Sequence, residues 1–347
     1  FYSIVAMSIS LMLNGIFSSS ASFKNLFYGI CLGGGLLFLY LLFSAILDSS
    51  REPAPYICAS ALGVSLAASV QLFIRAAQMH SDGYLFSTVG GITAINRNVL
   101  QFSWGVATIV GAIIVIGIPA AFYLARQSRY SFLYYISAIV LVLASIIVDT
   151  RSAIITSIVF FIFCSIFCCF SGKNKTANRI YTVTSIVIGI GTLIAFHIYH
   201  GDLLELWNEL LRFLRFDIIS ENLRLEYWKV GINDFLSAPV FGIGFDAGVV
   251  IEDTYQTFEN AFTGMYHSVI IQFLASAGIL GFAAFGYHCV EYARLMFKRR
   301  SGGKLLILLL PAMIIVMSLV DNFFFQFSFQ IFYAAFFALA EKESCEK

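Results

Sequence analysis

Long apolar runs constrain this 347-residue chain more than any other feature of its sequence. A helix of about 20 apolar residues crosses roughly 30 Å of hydrocarbon with its backbone hydrogen bonds satisfied internally. Hydrophobic residues make up 59% of the chain and charged residues only 12%, which is typical of polytopic membrane proteins. We predict ten spans, at about residues 1–17, 26–47, 54–74, 99–125, 131–149, 152–170, 180–199, 265–290, 304–320 and 322–340.

The predicted fold class is therefore all-α: a polytopic transmembrane helix bundle of about ten visible spans, with a long extracytoplasmic loop that contains short amphipathic helices. Its predicted parts are spans one to seven at 1–199, an extracytoplasmic catalytic loop at 200–264, and spans eight to ten with a cytoplasmic C-terminus at 265–347. The sequence begins at Phe1, inside an apolar run and without an initiator Met, so we expect further spans upstream.

The distribution of Lys and Arg predicts the orientation, because these residues are enriched in cytoplasmic loops. Basic groups at 173–179 and 294–304 fall on the side of both visible ends, which predicts cytoplasmic ends and an external loop at 200–264. A second, shorter external loop follows Arg75, with a turn at Gly90 and Gly91. No basic stripe is present that could neutralise the phosphates of a nucleic acid, so we expect no nucleic acid partner.

Two helices are predicted in the long external loop. In the first, LLELWNELLRFLRF at 203–216, apolar residues recur every three or four positions, while Arg212 and Arg215 lie on the polar side. This pattern is typical of a helix in the membrane interface. The second helix runs from about Glu221 to Ser237.

The second helix carries a candidate anion-binding residue. Arg224 and Trp228 are four positions apart, so the indole can pack under the guanidinium stem and hold it. A guanidinium offers a planar fork to two phosphate oxygens and stays charged. The alternative is an ion pair with Glu221 or Glu226 on a solvated helix face.

Two further residues stand where an apolar helix begins. His267 is at the start of the eighth span, where an imidazole is next to an apolar, low-dielectric environment and is also accessible to substrate. Such a position suits a general base. Arg151 opens the sixth span, where the helix dipole opposes a cation, which suggests an anionic ligand. The alternatives are a structural histidine and an ion pair of Arg151 with Asp149.

Neither a cofactor nor a metal is predicted. Pro239 ends the second loop helix, and Gly242 and Gly244 allow a tight turn beside something that the backbone must approach closely. This glycine pair is not a dinucleotide fingerprint, because no strand precedes it and the third glycine is absent. Three potential metal ligands lie together without a fourth: His197, His200 and Asp202.

In their combined order, these residues strongly resemble the signature region of the bacterial O-antigen ligase and O-antigen polymerase family. The resemblance rests on RLEYWKVGINDFLSAPVFGIGF at 224–245 and MYHSVIIQFLASAGILGFAAF at 265–285. It covers most of the chain from about residue 85 onward and extends to DTRSAIITSIVFF, in which Arg151 opens a span. One departure is Tyr266-His267-Ser268, where the family often has His-Asn.

The resemblance implies a GT-C-type glycosyltransferase in the bacterial cytoplasmic (inner) membrane, with its active site facing the periplasm or exterior. The implied donor is an undecaprenyl-diphosphate-linked oligosaccharide, and the implied acceptor is a hydroxyl of another glycan or of lipid A core. By resemblance, His267 activates the acceptor, and Arg151 and Arg224 bind the diphosphate. Further candidates are Arg97 and Arg215 for the diphosphate, and Trp228, Gly242, Gly244 and Tyr266 for supporting roles.

The chemistry of the candidate residues agrees with this implied activity. An inverting displacement needs the acceptor proton removed and the charge of the leaving diphosphate stabilised. An arginine about 4 Å from a phosphate gains roughly 4 kcal/mol per charge pair at an effective dielectric of about 20. Two or three arginines can therefore replace a divalent metal, and we expect metal-independent transfer.

Three alternatives remain open. Polymerisation of O-antigen, capsular or exopolysaccharide repeats is favoured over ligation because the external loop is modest and nothing in it indicates a platform for lipid A. A transporter or flippase of lipid-linked sugars would need charged groups along its spans and usually internal repeats, and neither is evident. A structural or sensory subunit would leave Arg224, His267 and the glycine turn without a shared purpose.

Overall fold

The computed structural model describes residues 1–20, 22–89, 92–101, 105–171, 183, 187, 219–245, 266–297 and 303–345. Helices dominate this part of the chain, which confirms the predicted all-α membrane class. The helices are α1 Tyr2–Phe17, α2 Phe23–Gly29, α3 Gly35–Ser49, α4 Pro53–Ser81, α5 Ala107–Gln127, α6 Ser131–Ile147, α7 Arg151–Ser171, α8 Ile219–Ser237, α9 Val269–Phe297, α10 Lys304–Ser318 and α11 Phe327–Cys345. Shorter turns are π-helical at Ile30–Gly34 and 3₁₀-helical at Arg97–Leu100 and Phe323–Phe325.

The expectation of ten spans is wrong in number. Within the described ranges, five helices are long and apolar enough to cross a membrane: Phe23–Ser49, Pro53–Ser81, Ala107–Gln127, Arg151–Phe170 and Val269–Phe297. The apolar helices α1, α6 and α10 have 16, 17 and 15 residues, which corresponds to roughly 22–26 Å. Apolar run length predicted these short helices as full spans because it does not define the residue at which a helix ends. Apart from residues 183 and 187, the predicted span 180–199 lies outside the described residues, and so does the whole predicted loop helix 203–216.

The chain forms two compact units. The first comprises Phe1–Arg51, Asp217–Arg299 and Ile314–Lys347, and the second comprises Glu52–Phe216 and Arg300–Met313. His267 and the helix that carries Arg224 therefore belong to the first unit, whereas Arg97 and Arg151 belong to the second.

In the first unit, the N-terminal helices pack closely through glycines. α1 packs against α2, against the π-helical turn that joins α2 to α3, and against α9. A Cβ added to Gly29 would lie 2.9 Å from the Cα of Gly15, and one added to Gly33 would lie 2.4 Å from the carbonyl oxygen of Ser8. Such small residues let membrane helices approach to backbone contact.

A cluster of aromatic rings forms the core of the first unit. Phe273 of α9 stacks on Phe285 with a centroid distance of 4.5 Å and lies 4.8 Å from Phe325. Phe324 contacts Phe285 at 5.7 Å, and the N–H of Phe324 donates to the Ser318 hydroxyl at 3.0 Å. These contacts hold the 3₁₀ turn after Asn322 against α9.

The second unit is built around α5, which is buried along most of its length. α4, α6 and α7 all pack against it. The Ser65 hydroxyl of α4 donates to the carbonyl of Ile113 at 2.6 Å. Gly117 leaves room for the same serine, because a Cβ there would lie 2.6 Å from the Ser65 Cβ.

The stretch after α4, which we expected to be only an external loop, contains a β-hairpin. Strand β1 Phe86–Val89 pairs antiparallel with β2 Ile92–Ile95, and Phe86 lies opposite Ile95. The connecting residues 90 and 91 lie outside the described residues. Two β-branched runs around Gly-Gly are a hairpin signal that the sequence interpretation did not use.

Candidate functional site

The site begins at a break in α9, in the first unit. Gly278 interrupts the helix with φ 64° and ψ −166°. The turn after α8 supplies replacement backbone hydrogen bonds. They run from the N–H of Ile243 to the carbonyl of Ala275 at 2.9 Å, from Gly244 to Ser276 at 3.1 Å, and from Ile279 to Pro239 at 2.8 Å. Because a membrane helix can be broken only where its backbone groups find other partners, the turn and the break form one element.

Glycines make this contact sterically possible. Gly242 and Gly244 have φ values of 75° and 96°. A Cβ at Gly242 would lie 2.4 Å from the carbonyl carbon of Ser276, and one at Gly278 would lie 2.3 Å from the carbonyl oxygen of Val240. The glycine turn was expected to approach another group closely, and that group is the backbone of α9.

Two asparagines of the N-terminal helices hold the turn in place. The side-chain amide of Asn14 in α1 donates to the carbonyls of Phe241 and Ser276. Asn25 in α2 accepts the N–H of Phe245 at 2.6 Å and donates to the Ser18 hydroxyl. Both asparagines are fully buried. The sequence gives one signal for them, namely an amide inside an apolar run.

His267 lies just before α9 in a left-handed backbone conformation, with φ 50°. Its neighbours Tyr266 and Ser268 are buried, whereas its own side chain is 37% exposed. The ring meets Tyr227 of α8 edge to face, with centroids 5.5 Å apart. One edge of the imidazole is thus packed while part of the ring remains open to a ligand.

Asp321, between α10 and the Phe323–Phe325 turn, faces the same imidazole. Its Oδ1 lies 3.3 Å from His267 Nδ1, and its side chain is only 10% exposed. The N–H of Asn322 donates to the same carboxylate oxygen at 2.8 Å. Since a carboxylate only accepts, a neutral His267 carries its proton on Nδ1 and presents a lone pair on Nε2.

Tyr266 connects this site to α8. Its hydroxyl donates to Asp234 Oδ2 at 2.6 Å. Burial raises the pKa of the Tyr266 phenol, and the hydrogen bond and the charge of Asp234 raise it further. The phenol therefore remains a protonated donor. The ring also fills the space beside Gly231, where a Cβ would lie 2.8 Å from it.

Arg224 belongs to α8, one helical turn before Tyr227. The side chain of Arg224 lies outside the described part of the structure. Trp228 follows Tyr227 and is partly buried, and its indole Nε1 has no hydrogen-bond partner among the described residues. The expected packing of Trp228 under Arg224 stays a prediction.

The other candidate arginines lie in the second unit or outside the described residues. Arg151 is the first residue of α7 in the second unit, after Asp149 with φ 53° and a buried Thr150. Arg97 begins a 3₁₀ turn in the same unit, and its side chain lies outside the described residues. Arg215 lies outside them as well, as do the three potential metal ligands His197, His200 and Asp202.

The sequence interpretation missed the groups that surround His267. Asp321 and Asn322 stand where the predicted spans 304–320 and 322–340 meet, and two polar residues between apolar runs are themselves a signal. Tyr227 and Asp234 face His267 and Tyr266 from α8. No sequence spacing relates them to a histidine more than 30 positions away.

Comparison with known protein families gives a match. A family model described as O-antigen ligase matches residues 105–286, just over half of the chain. The match runs from the start of α5 past the break at Gly278 and includes Arg151, Arg224 and His267. A search of curated proteins finds no match.

Proposed function

Because this membrane chain belongs to the O-antigen ligase family, we propose that it transfers a glycan from undecaprenyl diphosphate to an acceptor hydroxyl outside the cytoplasmic membrane. The observation that carries the proposal is the pairing of a partly exposed His267 with a nearly buried Asp321 at the start of a membrane helix. This is the arrangement of a general base whose second nitrogen is oriented by a carboxylate.

The proposed reaction is a single displacement at the anomeric carbon. The acceptor oxygen forms the new bond to that carbon as His267 Nε2 takes the hydroxyl proton. The bond from the anomeric carbon to the diphosphate oxygen breaks, and its electron pair leaves with the diphosphate. Asp321 stabilises the imidazolium that forms, and a single displacement inverts the anomeric configuration.

Stabilisation of the diphosphate is proposed for Arg224, with Arg151, Arg97 and Arg215 as further candidates. Support for Arg224 comes from its place on α8, one turn before the residue that contacts the His267 ring. Its guanidinium fork can bind two phosphate oxygens at once and cannot be deprotonated at ordinary pH. The leaving group would thus depart towards α8 while the acceptor approaches the exposed edge of His267.

We propose repeat-unit polymerisation as the reaction, because the external loop 200–264 is modest in size and has no sequence feature that indicates a lipid A platform. Ligation to lipid A core is the second candidate, and the description of the matching family favours it. The two reactions use the same donor and the same chemistry. Only the acceptor distinguishes them.

The test is product formation from a purified undecaprenyl-diphosphate-linked repeat unit with the full chain in detergent and EDTA present. We expect the wild type to lengthen the glycan and His267→Ala to lose about 100-fold or more in rate, the usual contribution of a general base. His80→Ala is the matched control, because His80 is an exposed histidine at the end of α4.

Each outcome has a distinct meaning. Transfer that starts only when lipid A core is added identifies a ligase. Activity that requires a divalent metal contradicts metal-independent transfer. If neither acceptor receives glycan, or if His267→Ala keeps wild-type activity, the proposed function or the proposed base is wrong.

A further inference from the structure

Gln272, in the first turns of α9, joins the two loops that supply His267 and Asp321. Its side-chain oxygen accepts the backbone N–H of Tyr266 at 3.2 Å and the side-chain amide of Asn322 at 2.6 Å. Its side-chain nitrogen donates to the Ser276 hydroxyl at 2.8 Å. Gln272 is 3% exposed, so water does not compete for these bonds.

The orientation of the Gln272 amide follows from its partners. The backbone N–H of Tyr266 can only donate, so it must meet the amide oxygen. The NH₂ group then points along α9 towards Ser276, and the Asn322 amide must present its own NH₂ to Gln272. One glutamine thereby fixes both loops in a single arrangement.

The proposed base and its partner are the chain neighbours of the two residues that Gln272 binds. His267 follows Tyr266 and is held at φ 50°, a conformation that residues with a Cβ rarely adopt. Asn322 follows Asp321 and donates its backbone N–H to that carboxylate at 2.8 Å. A shift of either loop would change the 3.3 Å contact between the imidazole and Asp321.

We propose that Gln272 is a positioning residue, which sets the register of the two loops so that His267 Nδ1 faces Asp321 and Nε2 faces the acceptor. This inference rests on the proposed function, since it assigns His267 as the base. Because the Gln272 side chain is buried, we assign it no contact with the donor or the acceptor. It acts through the distance and angle between two other side chains.

The test is Gln272→Met, which keeps the length of the side chain and removes all its hydrogen bonds. We expect kcat to fall about 10- to 100-fold, the effect of a catalytic group displaced by roughly 1 Å, while KM for the lipid-linked donor stays unchanged. Gln272→Glu should restore much of the lost kcat, because a carboxyl oxygen can accept both loop donors and the other can accept the Ser276 hydroxyl.

Gln330→Met is the matched control. Gln330 is also fully buried in the first unit, and its amide donates to the carbonyl of Leu32 at 3.4 Å, with no described contact to either loop. We expect a wild-type kcat from this variant. A wild-type kcat in Gln272→Met, or an equal loss of kcat in Gln330→Met, would overturn the positioning role.

Two further measurements keep the outcomes separate. If Gln272→Met does not accumulate in the membrane, Gln272→Glu is compared with Gln272→Asn, which is one methylene too short to reach both loops. Equal kcat in those two variants contradicts the inference. If His267→Ala is active in the same assay, the proposed base fails instead, and Gln272 loses the group that it was assigned to position.

Discussion

His267 occupies a conformation that its own residue type does not favour. Its positive φ is held by the buried neighbours Tyr266 and Ser268, and its ring lies between Tyr227 and Asp321. Strain of this kind persists only where the surroundings fix it, and it is frequent at functional sites. The immediate partner of the imidazole is a carboxylate from a loop more than 50 positions away.

Asp321→Asn tests the role of that carboxylate. Asparagine can still accept from His267 and from the N–H of Asn322, so the geometry is kept while the negative charge is lost. We expect kcat to fall at least about 10-fold, because the imidazolium formed during transfer is no longer stabilised. Steady-state kinetics with the lipid-linked donor give the change in kcat and in KM.

Asp82→Asn is the control for this substitution, because Asp82 is an exposed aspartate after α4. Equal rates for Asp321→Asn and the wild type would show that the charge of Asp321 takes no part in the reaction.

The break in α9 and the glycine turn after α8 make one structural element. N–H groups of the turn donate to carbonyls of α9 that lose their helical partners at the Gly278 break. Asn14 and Asn25 bind the turn to the N-terminal helices. Buried backbone groups without partners would cost several kcal/mol each in a membrane, so both halves must form together. The start of α9, and with it His267, is thereby tied to α1 and α2.

Gly278→Ala should disrupt this element. The glycine has a combination of φ and ψ that alanine does not favour, and a Cβ would lie 2.3 Å from the Val240 oxygen. We expect a lower thermal unfolding midpoint and a loss of transfer activity. Thermal unfolding of the purified protein in detergent gives the first quantity.

Gly286→Ala provides the comparison in the same helix, because nothing lies within 4 Å of the position of its Cβ. That variant should keep the wild-type midpoint or exceed it slightly. Equal midpoints for the two alanine variants would mean that the break at Gly278 does not contribute to stability.

The whole chain combines membrane-spanning helices with a family match over residues 105–286. His267 stands at the start of α9 and Arg294 near its other end, and α9 is one of the five helices long enough to span. If α9 crosses the membrane, these two positions lie on opposite sides of it. The proposed orientation places His267 outside.

Cysteine labelling in intact cells tests this orientation. Lys229→Cys, on an exposed position of α8, should react with a membrane-impermeant maleimide from outside. Arg294→Cys, 66% exposed, should react only after lysis. The parent chain, with its native cysteines, gives the background. The reverse pattern of labelling would invert the topology and place the proposed reaction on the cytoplasmic side.

The membrane class, most helix positions and the order of the signature residues followed from the sequence, because apolar run length and local spacing are properties of neighbouring residues. The helix predicted from Glu221 to Ser237 is present as Ile219–Ser237, and the close approach of the glycine turn was expected as well. The number of full spans was not predicted correctly, because hydropathy does not define the residue at which a helix ends. The partners of His267 were also out of reach. Asp321 and Tyr227 meet around its ring only because a broken helix, an inserted turn and an aromatic cluster bring three separate segments together. Contacts between segments far apart in the chain leave no periodic trace in the sequence.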